Sequence, residues 1–317
     1  MSVSDPPSDP LSDPLSGAGF DALYEQQIEP QLRVLEGDRK KAMGQSQLIW
    51  LGFVGLLLVE AFINMSMGHG FIPDPRILGI TIIGGGIVGY LPLNAVATKA
   101  KQKVIATLCA PMGVSYLMKP GEPGIFKELQ TLKLLPGADD KSFEDQFTGR
   151  RGASDFMLCE ATLTVGSGKN RHTVFQGQVF KIAFPQRFLG TTVVLRDSGW
   201  LNRFECPKGL EKVGLEDPNF EKIWEVFSDD QIESRAILTP AFMEELVALE
   251  TAYSGKHIRC GFREGDLMIA VEGQNRFEAG NMFSTLDSKG RAQSMASDIS
   301  AVIRLIDAFV AAPAERA

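Results

Sequence analysis

Two apolar runs separated by nine residues constrain this chain more than any other feature. Residues 48–67 read LIWLGFVGLLLVEAFINMSM, and residues 77–97 read ILGITIIGGGIVGYLPLNAVA. Each is about one bilayer long. The first carries a single charge, Glu60, and the second carries none. With the loop GHGFIPDPR between them, the pattern predicts a two-helix transmembrane hairpin over 47–97. Basic residues flank it: Arg39, Lys40 and Lys41 before, Lys99, Lys101 and Lys103 after, against Arg76 alone in the loop. By the positive-inside rule both termini face the cytoplasm. The expected location is a cytoplasmic (inner) membrane crossed twice.

Within the second run, Gly84, Gly86 and Gly89 spell the G-x-G-x-x-G of a dinucleotide site. That site needs a helix running on from the glycines and an acidic residue about twenty positions later. Here Pro92 follows Gly89 closely, and no Asp or Glu occurs between Asp74 and Glu122. The glycines read instead as a helix-packing surface, with Gly85 and Gly89 forming G-x-x-x-G. Glu60 is the one ionisable group inside a span, and such groups are costly and often functional. Counting depth along antiparallel spans places it level with Gly84 and Thr81. The competing reading is a carboxylate near the outer interface.

Upstream, SDPPSDPLSDPLSGAG repeats Ser-Asp-Pro three times without an apolar stripe, so 1–19 is expected to be disordered. Over 20–46, Phe20, Tyr24, Ile28, Leu32 and Leu35 share one helix face. This predicts an amphipathic juxtamembrane helix, bent or ended by Pro30. It would pack on its own protein or, alternatively, form a coiled-coil seam.

The segment 98–152 is expected to be a linker with a helical piece. From 153 to 317 the pattern turns to strands mixed with helices. A hairpin is expected with its turn near Gly166–Asn170, followed by a strand in TTVVLRD and another at 223–227. A helix starts at Thr239-Pro240, a second hairpin turns at Glu264-Gly265-Asp266, and an amphipathic helix passes through Ile299, Val302, Ile303, Ile306 and Val310. The fold class predicted is α+β: a two-helix transmembrane hairpin, then a cytoplasmic domain with a mainly antiparallel sheet and flanking helices.

No catalytic, cofactor or metal site emerges. GSGKN lacks the phosphate-loop glycine and hydroxyl, since Leu163 and Asn170 stand there. GVSYL has Leu117 where a nucleophile elbow has glycine. Cys109, Cys159, Cys206 and Cys260 are too scattered for zinc, and His172 and His257 lack fixed partners in sequence. Asp217, Asp229, Asp230 and Glu233 could bind metal, but their Ser/Asp/Pro context reads as turns and helix starts. Net charge is −7, which gives no general pull on nucleic acid.

The string KVGLEDPNFEKIWEVFSDDQIESRAILTPAFMEELVAL closely resembles a signature of the bacterial domain of unknown function 3137 family. FQGQVFKIAFPQRFLGTTVVLRD and YEQQIEPQLRVLEGDRKKA are similar to other parts of that family, over roughly 20–310 in all. The resemblance implies two membrane spans before a cytoplasmic domain and brings no activity. The expected function is therefore a membrane-tethered binding or scaffold domain without catalytic activity. Its partners would be the bilayer and a protein, with homo-oligomers allowed. The alternatives are a membrane-associated enzyme using carboxylates and His172 or His257, and a channel of hairpins around Glu60.

Overall fold

The computed structural model describes residues 14–68, 74–184, 188–196, 207–215, 217–252, 258–275, 277 and 289–311. The chain divides into two compact units: Met1–Leu108 with Glu278–Ala296, and Cys109–Phe277 with Ser297–Ala317.

In the first unit, α1 (Gly17–Ser66) and α2 (Pro75–Met112) are the long helices. Pro30 does not end or break α1. Tyr24–Ile28 forms one π turn immediately before it, with the Glu29 N–H bonded to the Tyr24 carbonyl five residues back. A proline cannot donate, and its ring crowds the preceding turn. The wider turn accommodates that defect while the helix continues. The helix starts at Gly17, inside the segment 1–19 expected to be disordered. The first thirteen residues of that segment lie outside the described ones.

The stripe Phe20, Tyr24, Ile28, Leu32 and Leu35 is buried. So are Ala100, Val104, Ile105 and Leu108 of α2, and Gln31 donates to the Thr107 hydroxyl at 3.3 Å. The juxtamembrane stripe therefore packs within its own chain. Beyond it, both helices carry many exposed large apolar side chains, and each is long and apolar enough to cross a membrane.

The second unit is built on a nine-stranded antiparallel sheet in the order β1-β2-β3-β4-β9-β8-β5-β7-β6. The strands are β1 (Ser115–Leu117), β2 (Asp140–Arg151), β3 (Ser154–Val165), β4 (His172–Ala183), β5 (Thr192–Arg196), β6 (Glu211–Val213), β7 (Trp224–Ser228), β8 (Ile258–Arg263) and β9 (Asp266–Glu272). The expected α+β class is thus correct. The reading of 98–152 as linker and helix is not: α2 runs on past residue 98, and β2 lies inside the segment. Alternation in β2 is interrupted by a bulge between Glu144 and Phe147, which hides the period-two signal.

Period two puts Cys159, Ala161 and Leu163 on one sheet face. They join Phe126, Leu129, Leu132 and Leu134 from the segment around α3 (Phe126–Thr131) in one buried cluster. Opposite them, Phe262 stacks on Phe242 of α6 (Pro240–Ala252), and Phe242 stacks on Phe309 of α7 (Lys289–Ala311). Arg151 on β2 forks onto both carboxylate oxygens of Asp307 at 2.6 Å, fixing that end of α7.

Candidate functional site

The acidic signature resolves into backbone clamps. Asp217 caps α4 (Pro218–Glu221) by accepting from the Asn219 and Phe220 amides. Asp230 caps α5 (Gln231–Ile237) by accepting from Ile232 and Glu233. Both follow from the preference of Asp for the N-cap. The other two reach much further. Glu233 accepts from the Leu189 N–H at 2.9 Å and the Gly190 N–H at 2.6 Å, and Asp229 accepts from the Thr191 N–H at 2.6 Å. Three successive amides of FLGTT are thus held by two carboxylates. A Cβ on Gly190 would lie 2.7 Å from Glu233 Oε2 and 2.8 Å from Asp229 Oδ1, so a larger residue would push these carboxylates from their present places.

Glu233 places both oxygens on amides and Asp229 its Oδ1. Among the described residues, no group of three His, Cys, Asp or Glu is placed to hold a metal. We predict that Glu233→Ala frees two amides and lowers stability by about 2 kcal/mol, read as an earlier urea midpoint. Calcium and magnesium should leave the midpoint of the parent chain unchanged. A cation-dependent midpoint would instead make the cluster a metal site.

Sequence reasoning missed a second polar group, inside the sheet. Asp145 occupies the β2 bulge at φ 51°, is 0% exposed, and accepts from the Tyr116 hydroxyl at 2.5 Å. Its own N–H bonds the Met118 carbonyl. Asp tolerates the left-handed region better than most residues. Across β3 and β4, Gln178 donates to Glu160 at 3.2 Å, and both are almost fully buried. Glu160 shares a face with Leu158, and Gln178 with Phe180 and Ile182. A polar residue at an apolar-phase position was the available signal. Burial, then the Asp145 hydrogen bond, pushes the Tyr116 phenol well up. Burial pushes the Cys159 thiol up to about 12 and Cys260 higher still. These are protonated groups of a closed interior, unlike a lowered-pKa nucleophile.

The remaining sequence candidates stay apart. Ser115 is exposed on edge strand β1, followed by no helix. Gly168–Asn170 is a short 3-10 turn of the β3–β4 hairpin. His172 is exposed, with Nδ1 3.2 Å from the Asn170 carbonyl. His257 and Cys206 lie outside the described residues.

In the first unit, Glu60 accepts from the Asp74 N–H at 3.0 Å. Its hydrogen-bond partner is thus the residue just before α2, not Gly84 or Thr81. A Cβ on Gly85 would lie 3.2 Å from the Phe53 ring, and one on Gly89 2.9 Å from Trp50 Nε1. Aromatic side chains of α1, not its backbone, occupy these notches. Beside them runs a groove of about 650 Å³ lined by Met43, Ser46, Gln47, Trp50, Leu51, Val54 and Leu93.

Residues 173–310 match a family model described as Protein of unknown function (DUF3137). A search of curated proteins returned no match. Among solved structures, the crystal structure of the mycobacterial trehalose monomycolate transport factor A, TtfA, is similar at 10% identity and a TM-score of 0.31. That similarity covers 65% of this chain and 95% of the other.

Proposed function

The match over residues 173–310 supports assigning the chain to the DUF3137 family, and on that premise we propose that this protein is a membrane-tethered scaffold. Its α1–α2 hairpin anchors it in the cytoplasmic (inner) membrane of a bacterium, with both termini cytoplasmic. Its antiparallel-sheet unit recruits a protein partner there without catalysing a reaction.

The observation that carries this reading is apolar surface without cover. Leu51, Leu56, Phe62, Ile80, Ile83 and Ile87 are each more than half exposed. Water-facing helices do not present so much uncovered apolar surface, whereas a bilayer accepts it. The basic residues at the far ends of both spans support the orientation. Asp145 and Glu160 are closed to solvent, and Asp229 and Glu233 are engaged with amides, so they lend little to the enzyme alternative.

The test is cross-linking in intact cells, with the full chain and with a chain lacking 48–97. The full chain is expected to stay with membranes in alkaline carbonate and to capture a recurrent protein neighbour. The shortened chain is expected to lose both. Identical neighbours for the two chains would sink the tether. A purified full chain carrying only a stoichiometric metabolite or metal would favour an enzyme.

A further inference from the structure

We infer that the α1–α2 groove is a binding site for one anionic phospholipid, with the acyl chain along Leu51 and Val54 and the headgroup toward Lys40. The inference rests on the hairpin lying in a bilayer. Its starting point is that the groove is two-natured. Toward Val54 its α1 lining is apolar; toward Lys40 the side chains of Trp50, Gln47 and Ser46 interrupt an otherwise apolar lining that includes Met43 and Leu93. Ser46 is only 9% exposed, lines the groove, and has no hydrogen-bond partner for its hydroxyl among the described residues. The Trp50 indole Nε1 and the Ser46 Oγ both face Gly89, 2.9 Å and 3.6 Å from where a Cβ would stand. A hydroxyl, a carboxamide and an indole N–H together offer donors, and a phospholipid's ester and phosphate oxygens are acceptors. A second copy of a leucine-rich span would leave these donors unmatched.

Charge selects among lipids. Lys40 lies seven residues before Gln47, two turns or about 10 Å along the same helix face. It therefore extends the groove's polar end toward the headgroup layer. Lys40, Lys41, Lys99 and Lys103 are all exposed and have no acidic partner among the described residues. Neighbouring Arg39, by contrast, is neutralised by Glu36 at 2.7 Å. Of these, Lys40 is the cation on the groove's own helix face, and a free cation there fits a phosphodiester with net negative charge better than a zwitterion.

The test uses the full chain in phosphatidylcholine vesicles containing increasing amounts of chain-brominated phosphatidylglycerol or chain-brominated phosphatidylcholine. Bromine quenches nearby indole fluorescence, and the Trp50 share is the difference between the parent and Trp50→Phe. Half-quenching is expected at about fivefold less brominated phosphatidylglycerol than brominated phosphatidylcholine, from one basic contact. Lys40→Gln should abolish that preference. Ser46→Leu, which fills the groove, should weaken quenching by both lipids. Equal quenching by the two lipids, or a preference that survives Lys40→Gln, overturns the site while leaving the membrane reading standing. Absence of quenching by either lipid overturns the membrane reading itself.

Discussion

Gly177→Val is expected to split the nine-stranded sheet between β4 and β9 and to leave the second unit unfolded or severely destabilised. A Cβ at residue 177 would sit 2.0 Å from the Val271 carbonyl oxygen and 2.9 Å from the Glu272 Cα. Both are backbone atoms of the partner strand, so no side chain can swing aside. The strands must separate, at the seam where β1–β4 join β9-β8-β5-β7-β6. We expect a cost of about 4 kcal/mol or more, a large share of a typical domain's stability. The control is Gly265→Asn. Gly265 has φ 85° in the two-residue turn between β8 and β9, meets open space, and Asn accepts that conformation. Near-ultraviolet circular dichroism melts of the full chains in detergent decide the matter. If Gly177→Val melts with the parent while Gly265→Asn does not, the seam is looser than its spacing requires.

The second large effect is alkaline. In the native protein burial holds Cys159 up to about 12, from 9.0, and holds Cys260 and Tyr116 up as well. In the unfolded chain these groups ionise near their ordinary values. Below pH 9 they are protonated in both states and contribute nothing to pH dependence. Above pH 9 the unfolded state releases protons that the native state keeps, so stability falls as pH rises. Each thiol contributes a slope of about 1.4 kcal/mol per pH unit, with the phenol joining above about pH 10. Urea midpoints should therefore drop steeply between about pH 9 and pH 11. Cys260→Ala is expected to start lower, through lost packing, yet to fall less steeply. A flat profile over that range would mean the interior opens enough to let the thiols ionise.

How far the amino-acid sequence carried differs by region. Local chemistry was legible. Asp217, Asp230 and Thr239 each act on amides within three residues, so their turns and helix starts could be read in place. The two hairpin turns, and the class of the sheet they build, were legible for the same reason. Bulges and buried polar positions were not. The β2 bulge shifts the register at Glu144, and Glu160 and Gln178 occupy phases that alternation assigns to apolar residues. The signature block looked like a candidate carboxylate cluster because nothing within it reveals that Leu189, Gly190 and Thr191 lie opposite.

What the sequence alone determined is set by distances along the chain: two bilayer-length apolar runs, an amphipathic stripe before them, the caps, and the alternation of the hairpins. Each rests on a helix or strand period acting over a few residues. What only the tertiary structure decided is set by strand order. Asp229 and Glu233 clamp amides about forty residues away because β7 lies beside β5. Gly177 is irreplaceable because β9, not a neighbour in sequence, runs against it. Such partners are chosen by which buried faces fit together across the whole sheet, and no local spacing encodes that choice.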